Sequence, residues 1–260
     1  MWSERVEIVF LGTGTSHGIP VIGCECAVCR SEDPRNKRTR PSILVQFAGR
    51  SVLIDTATDF RWQMLANAVP RLDAILFTHE HADHIFGLDD VRRYNDLQRE
   101  AIPCYATPAT AAVLRRAFAY VFEADPPHAP GMGWPVLGLN EVQGPFDLFG
   151  ERIVPVPIWH GRSTIVGYRI GGLAYLTDCS GIPEASRPLL AGLEVLVIDA
   201  LRRRPHPTHF SLGQALAEIE ALKPRRAFLT HMCHDIDHAA VTAALPAGVA
   251  LAYDGLRISV

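Results

Sequence analysis

Residues Thr78-His79-Glu80-His81-Ala82-Asp83-His84 place four metal-binding side chains within six residues. The run follows directly on Ala74–Phe77, whose apolar residues and short length predict a buried β-strand. Imidazole and carboxylate groups buried at the end of a strand are costly unless they are paired or bind a metal. Neutral imidazole and carboxylate ligands suit zinc, manganese or iron. The run therefore predicts a metal centre, and a chance surface cluster is a much poorer explanation.

Three more potential ligands, His160, Asp178 and His231, each follow another apolar segment directly. Any one of them alone is equally well explained by a buried histidine or by an aspartate in a turn. Sheets present their ligands at the ends of their strands, so several strand ends with matching residues favour one shared site. We therefore expect these three residues to join the ligands of residues 79–84.

Short apolar segments bounded by Gly and Pro recur along the chain and predict strands interleaved with helices. Ser211 and Gln214 form a capping-box pattern ahead of an apolar stripe, and Thr107-Pro108 predicts another helix start. We expect one α/β domain over residues 1–260, in which two sheets pack face to face with helices outside. The predicted strands are Val6–Leu11, Ser42–Phe47, Ser51–Ile54, Ala74–Phe77, Pro103–Ala106, Arg152–Ile158, Ser163–Ile170, Gly172–Thr177, Val195–Asp199, Arg225–Thr230 and Val249–Ala252.

The composition is that of a folded protein without a strongly charged surface. Of its 260 residues, 48% are hydrophobic and 20% charged, and the formal net charge is −3. Disorder needs low hydrophobicity and high net charge, so it is excluded. No global positive field attracts nucleic acid or a membrane, and no apolar stretch reaches the roughly 20 residues of a membrane helix. Residues 1–7 lack the apolar core of a secretory signal, so we expect a cytoplasmic protein.

The loop at residues 23–30 predicts a structural zinc site, because it holds three thiols within six residues: Cys24, Cys26 and Cys29. Structural zinc sites use four ligands in a tetrahedron, and three cysteines with one histidine are common. His234 is the preferred fourth ligand, and Cys233 competes with it. His234 lies three residues beyond His231, so an irregular turn would send one histidine to each site.

The motif HxHxDH, from His79 to His84, resembles that of the metallo-β-lactamase fold superfamily. The resemblance implies an α/β fold of the αβ/βα four-layer type, in which two mixed β-sheets are flanked by helices. It also implies two metal ions that share a set of ligands. The first metal would be held by His79, His81 and His160 and the second by Asp83, His84 and His231, with Asp178 as the bridge. Asp55 resembles the family's aspartate that supports the histidine loop, although a strand-end cap explains it equally well.

The chain resembles the PhnP-type phosphodiesterases from Leu11 to Val260. The shared motifs are GCECxxC, THxHxDH, LTHxxH and the late Asp-Gly of Tyr253-Asp254-Gly255. This resemblance implies an enzyme that opens a cyclic phosphate ester such as 5-phosphoribosyl 1,2-cyclic phosphate. It places the general acid at His209, with His206 as a rival. Residues 88–138 depart from the family's pattern, and we expect them to form one wall of the pocket.

The expected mechanism is hydrolysis at a pair of divalent metal ions, manganese or zinc. Two adjacent metals lower the pKa of a water molecule that they share, so that hydroxide is available near neutral pH. Asp83 counts among the catalytic residues as well as the ligands, and His209 protonates the leaving oxygen. The expected partner is a small phosphate ester and not nucleic acid or a membrane, and a homodimer is left open.

Four other functions remain open for the sequence. A tRNA 3′-processing nuclease shares the histidine motif, but it needs a basic arm, and residues 30–40 are short and mixed in charge. A β-lactamase or a thioester hydrolase is also possible, but the cysteine loop would have no role in such an enzyme. A pyrroloquinoline quinone synthesis protein of the B type has a similar cysteine loop but tends to have an altered metal motif. A binding module with structural zinc alone leaves seven catalytic-type ligands unexplained.

Overall fold

A computed structural model describes residues 6–123 and 129–260, and in these ranges fourteen strands form two sheets of seven. The first sheet contains β1 (Glu7–Gly12), β2 (Ser42–Phe47), β3 (Arg50–Ile54), β4 (Ala74–Leu76), β5 (Ile102–Ala106), β6 (Leu137–Glu141) and β14 (Arg257–Ser259). The second contains β7 (Phe146–Leu148), β8 (Glu151–His160), β9 (Ser163–Ile170), β10 (Leu173–Leu176), β11 (Val195–Asp199), β12 (Arg226–Thr230) and β13 (Val249–Leu251).

Both sheets are mixed, and each contains a parallel block. The first runs in the order β14-β1-β2-β3-β4-β5-β6, with β3 to β6 parallel. The second runs β13-β12-β11-β10-β9-β8-β7, with β10 to β13 parallel. The C-terminal ends of parallel strands share one edge of a sheet, so residues that follow these strands are brought together there.

Helices cover the outer faces of both sheets, which completes the four predicted layers and confirms the fold class. Their bounds are α1 (Ala27–Arg30), α2 (Phe60–Ala66), α3 (Ala82–Ile85), α4 (Arg92–Gln98), α5 (Pro108–Ala117), α6 (Ala119–Phe122), α7 (Leu212–Leu222) and α8 (His238–Thr242). Three 3₁₀ segments lie at Pro34–Asn36, Leu88–Val91 and Glu184–Leu190. None of the helices in the described ranges combines the length and apolar character needed to cross a membrane.

The central core lies between the sheets and is built from apolar side chains of both. The rings of Phe10 in β1 and Phe228 in β12 meet with centroids 5.6 Å apart. The hydroxyl of Tyr168, in β9, donates to the carbonyl of Phe77 just after β4, at 2.9 Å. This bond ties the second sheet to the segment that carries the metal motif.

The late Asp-Gly of the sequence also acquires a structural role. Asp254 is half-buried, and its two carboxylate oxygens accept from the amides and hydroxyls of Thr13 and Thr39 at 2.7–2.9 Å. The carboxylate therefore joins the C-terminal part of the chain to two N-terminal loops.

Three strands were not predicted from the sequence, and all three lie at sheet edges: β6, β7 and β14. Edge strands are short and polar in many proteins, which removes the apolar alternation that identifies a strand. β6 carries Gly138 and Asn140, and β7 and β14 are three residues each. The helices predicted at Thr107 and Ser211 are α5 and α7, although the first breaks at Phe118, where a new short helix begins.

Candidate metal centre

The predicted ligands converge where the ends of strands from both sheets meet. His79 comes shortly after β4, Asp178 after β10 and His231 directly after β12, whereas His160 is itself the last residue of β8. Asp178 and His231 have left-handed φ angles of 54° and 59°, and Asp55, directly after β3, has 67°. Such angles strain a residue with a side chain, and they cluster at functional sites.

The first ligand group consists of His79, His81, His160 and Asp178, which each offer one ligand atom within 4.8 Å of the others. His79 Nε2 lies 3.0 Å from His81 Nδ1 and 3.8 Å from Asp178 Oδ2. His160 Nδ1 faces the carbonyl oxygens of Asp178 and Thr208 at 2.8 and 2.9 Å. Those carbonyls require the hydrogen on Nδ1, so the lone pair of His160 is on Nε2.

The second ligand group consists of Asp83, His84, His231 and the same Asp178, again with ligand atoms within 4.8 Å. Asp178 Oδ1 lies 3.2 Å from both His84 Nε2 and His231 Nε2. Asp83 Oδ2 lies 3.4 Å from His84 Nε2 and 3.8 Å from His231 Nε2. The two oxygens of Asp178 thus face different groups, as expected for the predicted bridge. We refer to both groups together as the His–Asp centre.

The polar atoms of the second group fit a metal ion. Asp83 Oδ2, His84 Nε2 and His231 Nε2 are buried and have no hydrogen-bond partner among the described residues. Buried polar atoms without partners are rare because they lose solvation and gain nothing in return. A cation bound between them would satisfy all three atoms, and the donors are those preferred by zinc and manganese. The centre as a whole fits a dinuclear site.

Asp55 supports the metal motif from the neighbouring strand. Its Oδ2 lies 2.8 Å from His84 Nδ1, and its carboxylate also accepts from the amide and hydroxyl of Thr78 at 2.8 Å. A carboxylate that accepts the Nδ1 hydrogen of a histidine sets the tautomer and leaves Nε2 free to bind a metal. The supporting role suggested by the resemblance agrees with this geometry.

Charges within the centre shift the pKa values of its members in opposite directions. Burial lowers the pKa of His79, and the nearby His84 adds to this effect. Burial would also lower the pKa of His231, but Asp178, Asp83 and Asp199 outweigh it and raise that pKa to about 9. Burial would raise the pKa of Asp178, yet His231 and His84 hold it well below the usual range. The carboxylates therefore attract positive charge, which a bound metal would supply.

His209, the predicted general acid, lies beside the His–Asp centre. Its ring stacks on that of His231 at a centroid distance of 4.7 Å and an angle of 13°. His209 Nδ1 lies 2.8 Å from Asp199 Oδ2, and Asp199 is the fully buried last residue of β11. No role was predicted for Asp199, although it ends an apolar strand just as Asp178 follows one. That shared signal could have identified it.

The rival acid, His206, lies farther from the centre. Its ring centroid is 5.2 Å from that of His209, and its Nδ1 accepts from the backbone amide of Thr208 at 3.3 Å. The neighbouring guanidinium of Arg202 donates to the carbonyls of Arg204 and Pro205. Arg202 therefore stabilises its own loop.

Residues 88–138 contact the metal motif through the first turn of α5. The hydroxyl of Thr110, in the first turn of α5, donates to Glu80 between His79 and His81 at 3.1 Å. The same segment supplies α4, β5, α6 and part of β6, so much of it belongs to the first sheet and its covering helices. Residues 124–128 of the expected pocket wall lie outside the described residues.

The three cysteines of the N-terminal loop meet His234 and not Cys233. The sulfurs of Cys24, Cys26 and Cys29 lie 3.2, 3.7 and 3.5 Å from His234 Nδ1. Neighbouring ligands are roughly 3.5 Å apart around a tetrahedral zinc with bonds of about 2.0–2.3 Å. Cys233 Sγ instead accepts from the amide of Asp235 at 3.3 Å. We refer to the three cysteines and His234 together as the cysteine site.

Comparison with known proteins places the chain among metal-dependent hydrolases. The model of the β-lactamase superfamily domain matches residues 50–232. The crystal structure of a new diphosphatase from the PhnP family is 44% identical, with a TM-score of 0.91, and the match covers 99% of this chain and 98% of that one.

Two curated relatives have other names. An octanoyltransferase from Porphyromonas gingivalis is 40% identical over 257 residues, which are 97% of this chain and 51% of that protein. The chain thus spans about half the length of this relative. Coenzyme PQQ synthesis protein B from Methylorubrum populi is 30% identical in an alignment of 226 residues that covers 75% of this chain and 72% of that protein.

Proposed function

Because the chain belongs to the β-lactamase superfamily and, within it, to the PhnP family, we propose that its His–Asp centre hydrolyses a phosphodiester. The substrate that we favour is a small cyclic phosphate ester such as 5-phosphoribosyl 1,2-cyclic phosphate. The observation that carries the proposal is the position of Asp178, whose two carboxylate oxygens face two separate ligand groups. That arrangement suits two divalent cations, manganese or zinc, held side by side.

The ligands of the centre would be divided between the two metals as the motif implies. His79, His81 and His160 would hold one cation and Asp83, His84 and His231 the other, with Asp178 between them. When bound, a metal pair would lower the pKa of water so that hydroxide is available near neutral pH, and it would offset the charge on the phosphate oxygens. Asp55 and the carbonyls behind His160 keep the imidazoles in the tautomers that can bind metal.

His209 would donate the proton that the leaving oxygen needs. Asp199 accepts the Nδ1 hydrogen of His209, so Nε2 is the nitrogen that gives and regains a proton. The stacking of His209 on His231 would keep the imidazole beside a phosphate ester bound at the metals. Asp199 is thus a positioning residue for the acid.

The cysteine site would hold a structural zinc. Its four ligands fill a tetrahedron and leave no position for substrate or water, so no chemistry is expected there. Reduced thiols of this kind suit the cytoplasm. A single domain over residues 1–260 that acts without nucleic-acid or membrane partners completes the proposal, and a homodimer is compatible with it.

A diphosphate ester is the second candidate substrate, because the relative that is 44% identical is named a diphosphatase. Cleavage of a diphosphate would use the same metals and the same acid, and only the leaving group would differ. The octanoyltransferase name gives no comparable support, since the chain matches only half of that protein.

A substrate panel tests the proposal. The chain is assayed with Mn²⁺ or Zn²⁺ on 5-phosphoribosyl 1,2-cyclic phosphate, bis-p-nitrophenyl phosphate, a nucleoside diphosphate ester and a tRNA precursor. We expect the highest kcat/KM on the cyclic phosphate. Asp178→Asn should be inactive, whereas Asp147→Asn, at an exposed aspartate of β7, should match the wild type. Cleavage of the tRNA precursor alone would favour the nuclease, and no cleavage of any ester would favour a binding module.

A further inference from the structure

The turn formed by residues 231–236 connects the His–Asp centre to the cysteine site. His231 at its start belongs to the centre, and His234 in its middle belongs to the cysteine site. We propose that Arg38 is the positioning residue that holds this turn, and that it thereby sets the affinity of the His–Asp centre for the metal at His231. The inference rests on the proposed metal centre and not on the identity of the substrate.

Arg38 is buried to 1% exposure and reaches the turn with its guanidinium. Its Nη2 donates to the carbonyl of Ile236 at 2.8 Å, and its Nη1 donates to the carbonyl of Cys233 at 3.3 Å. Arginine has a rigid fork of donors, so the two bonds fix the relative position of two carbonyls three residues apart. Those carbonyls lie on either side of His234.

The backbone of Arg38 is anchored to the cysteine loop. Its amide and carbonyl exchange hydrogen bonds with Ile19 at 2.8 and 2.7 Å, and Ile19 packs with Val28 and Cys29. Asn36 completes the clamp, because its Oδ1 accepts from both Arg38 Nη2 and the amide of His238 at 3.0 and 2.9 Å. Residues of the N-terminal segment thus hydrogen-bond to the turn both in its middle, at Cys233, and at its end, at Ile236.

The burial of this guanidinium is energetically unusual. Burial lowers the pKa of Arg38 to about 10, so the group still carries its charge at neutral pH. Among the residues that the structure describes, no carboxylate forms an ion pair with it, and its Nε lacks a partner. Buried charges are costly unless they are compensated, and here the backbone carbonyls of the turn and the side-chain oxygen of Asn36 accept hydrogen bonds, while nearby carboxylates such as Asp254 add a weaker attraction. The burial of the guanidinium is consistent with a role in holding the carbonyls of Cys233 and Ile236 in fixed positions.

The same turn also contacts the loop that carries the acid. The amide of Cys233 donates to the carbonyl of Leu201 at 2.9 Å, and Asp235 accepts from the amide of Arg203 at 3.0 Å. His231 itself has the strained left-handed φ of 59°, so its orientation depends on how the rest of the turn is held. A turn released from Arg38 would let the imidazole of His231 relax away from the metal position.

Metal titration of Arg38→Met tests this inference without reference to catalysis. The wild type and the variant are first treated with a mild chelator that empties the His–Asp centre, with retention of zinc in the cysteine site checked by elemental analysis. Mn²⁺ binding is then measured by calorimetry. We expect the variant to need about tenfold more Mn²⁺ to fill the metal position at His231. Loss of a residue that supports a metal ligand typically lowers metal affinity by about 10–100-fold, and this expectation is at the lower end of that range. At saturating Mn²⁺, kcat should recover to near the wild-type value.

Arg40→Met is the matched control, since Arg40 lies on the same segment but pairs with Asp59 at 3.0 Å and not with the turn. It should bind Mn²⁺ like the wild type. Equal affinity in Arg38→Met and the wild type, or an equal loss in Arg40→Met, would overturn the inference. If Arg38→Met does not fold, Arg38→Gln, which is too short to bridge both carbonyls, serves in its place under the same criteria. A wild type that binds no Mn²⁺ at the centre would instead overturn the metal centre itself.

Discussion

The His–Asp centre and the cysteine site draw on histidines only three residues apart in the chain, His231 and His234, yet they differ in their other ligands and in their organisation. The cysteine site joins three sulfurs and one nitrogen from an N-terminal loop and a distant turn. The His–Asp centre joins imidazoles and carboxylates, divides into two groups around Asp178, and has His209 beside it. Soft thiolates in a closed tetrahedron suit a structural zinc, whereas borderline ligands around a shared carboxylate suit catalysis.

The difference shows how one short turn can serve two purposes. His231 points to the catalytic group and His234 to the cysteines, and the strained φ of His231 allows this separation. The cysteine site joins residues about 200 positions apart in the chain. A metal bound there would therefore both stabilise the fold and help to orient His231. Variants that remove one site while sparing the other test this division.

The largest effect is expected from Asp178→Ala. Asp178 belongs to both ligand groups, so its loss should release both metals of the His–Asp centre and leave zinc in the cysteine site. Hydrolysis should fall by more than the roughly 10²–10⁴-fold expected for loss of the acid. Elemental analysis and the rate on bis-p-nitrophenyl phosphate measure both. Full activity in protein that lacks metal in the His–Asp centre would contradict the assignment of hydrolysis to this centre.

A smaller and more selective loss is expected from His209→Ala. Both metals should remain, and kcat should fall by about 10²–10⁴-fold on a substrate with a poor leaving group. The loss should shrink for p-nitrophenolate esters, because that leaving group scarcely needs a proton. The matched variant His206→Ala should show no such dependence on the leaving group. The same loss on good and poor leaving groups would indicate a binding role, and no loss would transfer the acid to His206.

The smallest effect on turnover is expected from Cys26→Ser, which should act on stability. The variant should lose one zinc per chain, while the folded fraction keeps its kcat at saturating metal. Loss of a covalent cross-link typically costs about 2–4 kcal/mol, and by analogy we expect about 3 kcal/mol for loss of this metal. At about 2–4 °C per kcal/mol for a chain of this size, Tm should fall by about 6–12 °C. A variant with unchanged Tm and full zinc content would speak against a structural metal.

The architecture, and the candidate ligands that the structure places together, could be predicted because their sequence signals are local. Buried strands such as β10 and β11 are almost wholly apolar, and the histidine run follows directly on another apolar strand, β4 and its neighbour Phe77. The choice of His234 over Cys233 followed from the usual composition of structural zinc sites. These features depend on a few adjacent residues, so they are visible without a structure.

The features that the sequence did not reveal depend on long-range contacts. β14 pairs with β1 across nearly the whole chain, and its three residues carry no strand signal of their own. Asp199 supports His209 through a bond that forms only when β11 and the 199–210 loop are folded. From its sequence context, Arg38 is one of several charged residues in a stretch expected at the surface. Only the structure shows that it is buried against the 231–236 turn.

The most direct test of the two-site account is the metal content of two histidine variants from the same turn. His231→Ala should lose metal from the His–Asp centre and keep the zinc of the cysteine site. His234→Ala should lose that zinc and keep both metals of the centre when metal is saturating. Elemental analysis of each variant against the wild type, which should carry three metals per chain, gives the answer. Loss of the same metal in both variants would contradict the account, because the two histidines would then serve a single site.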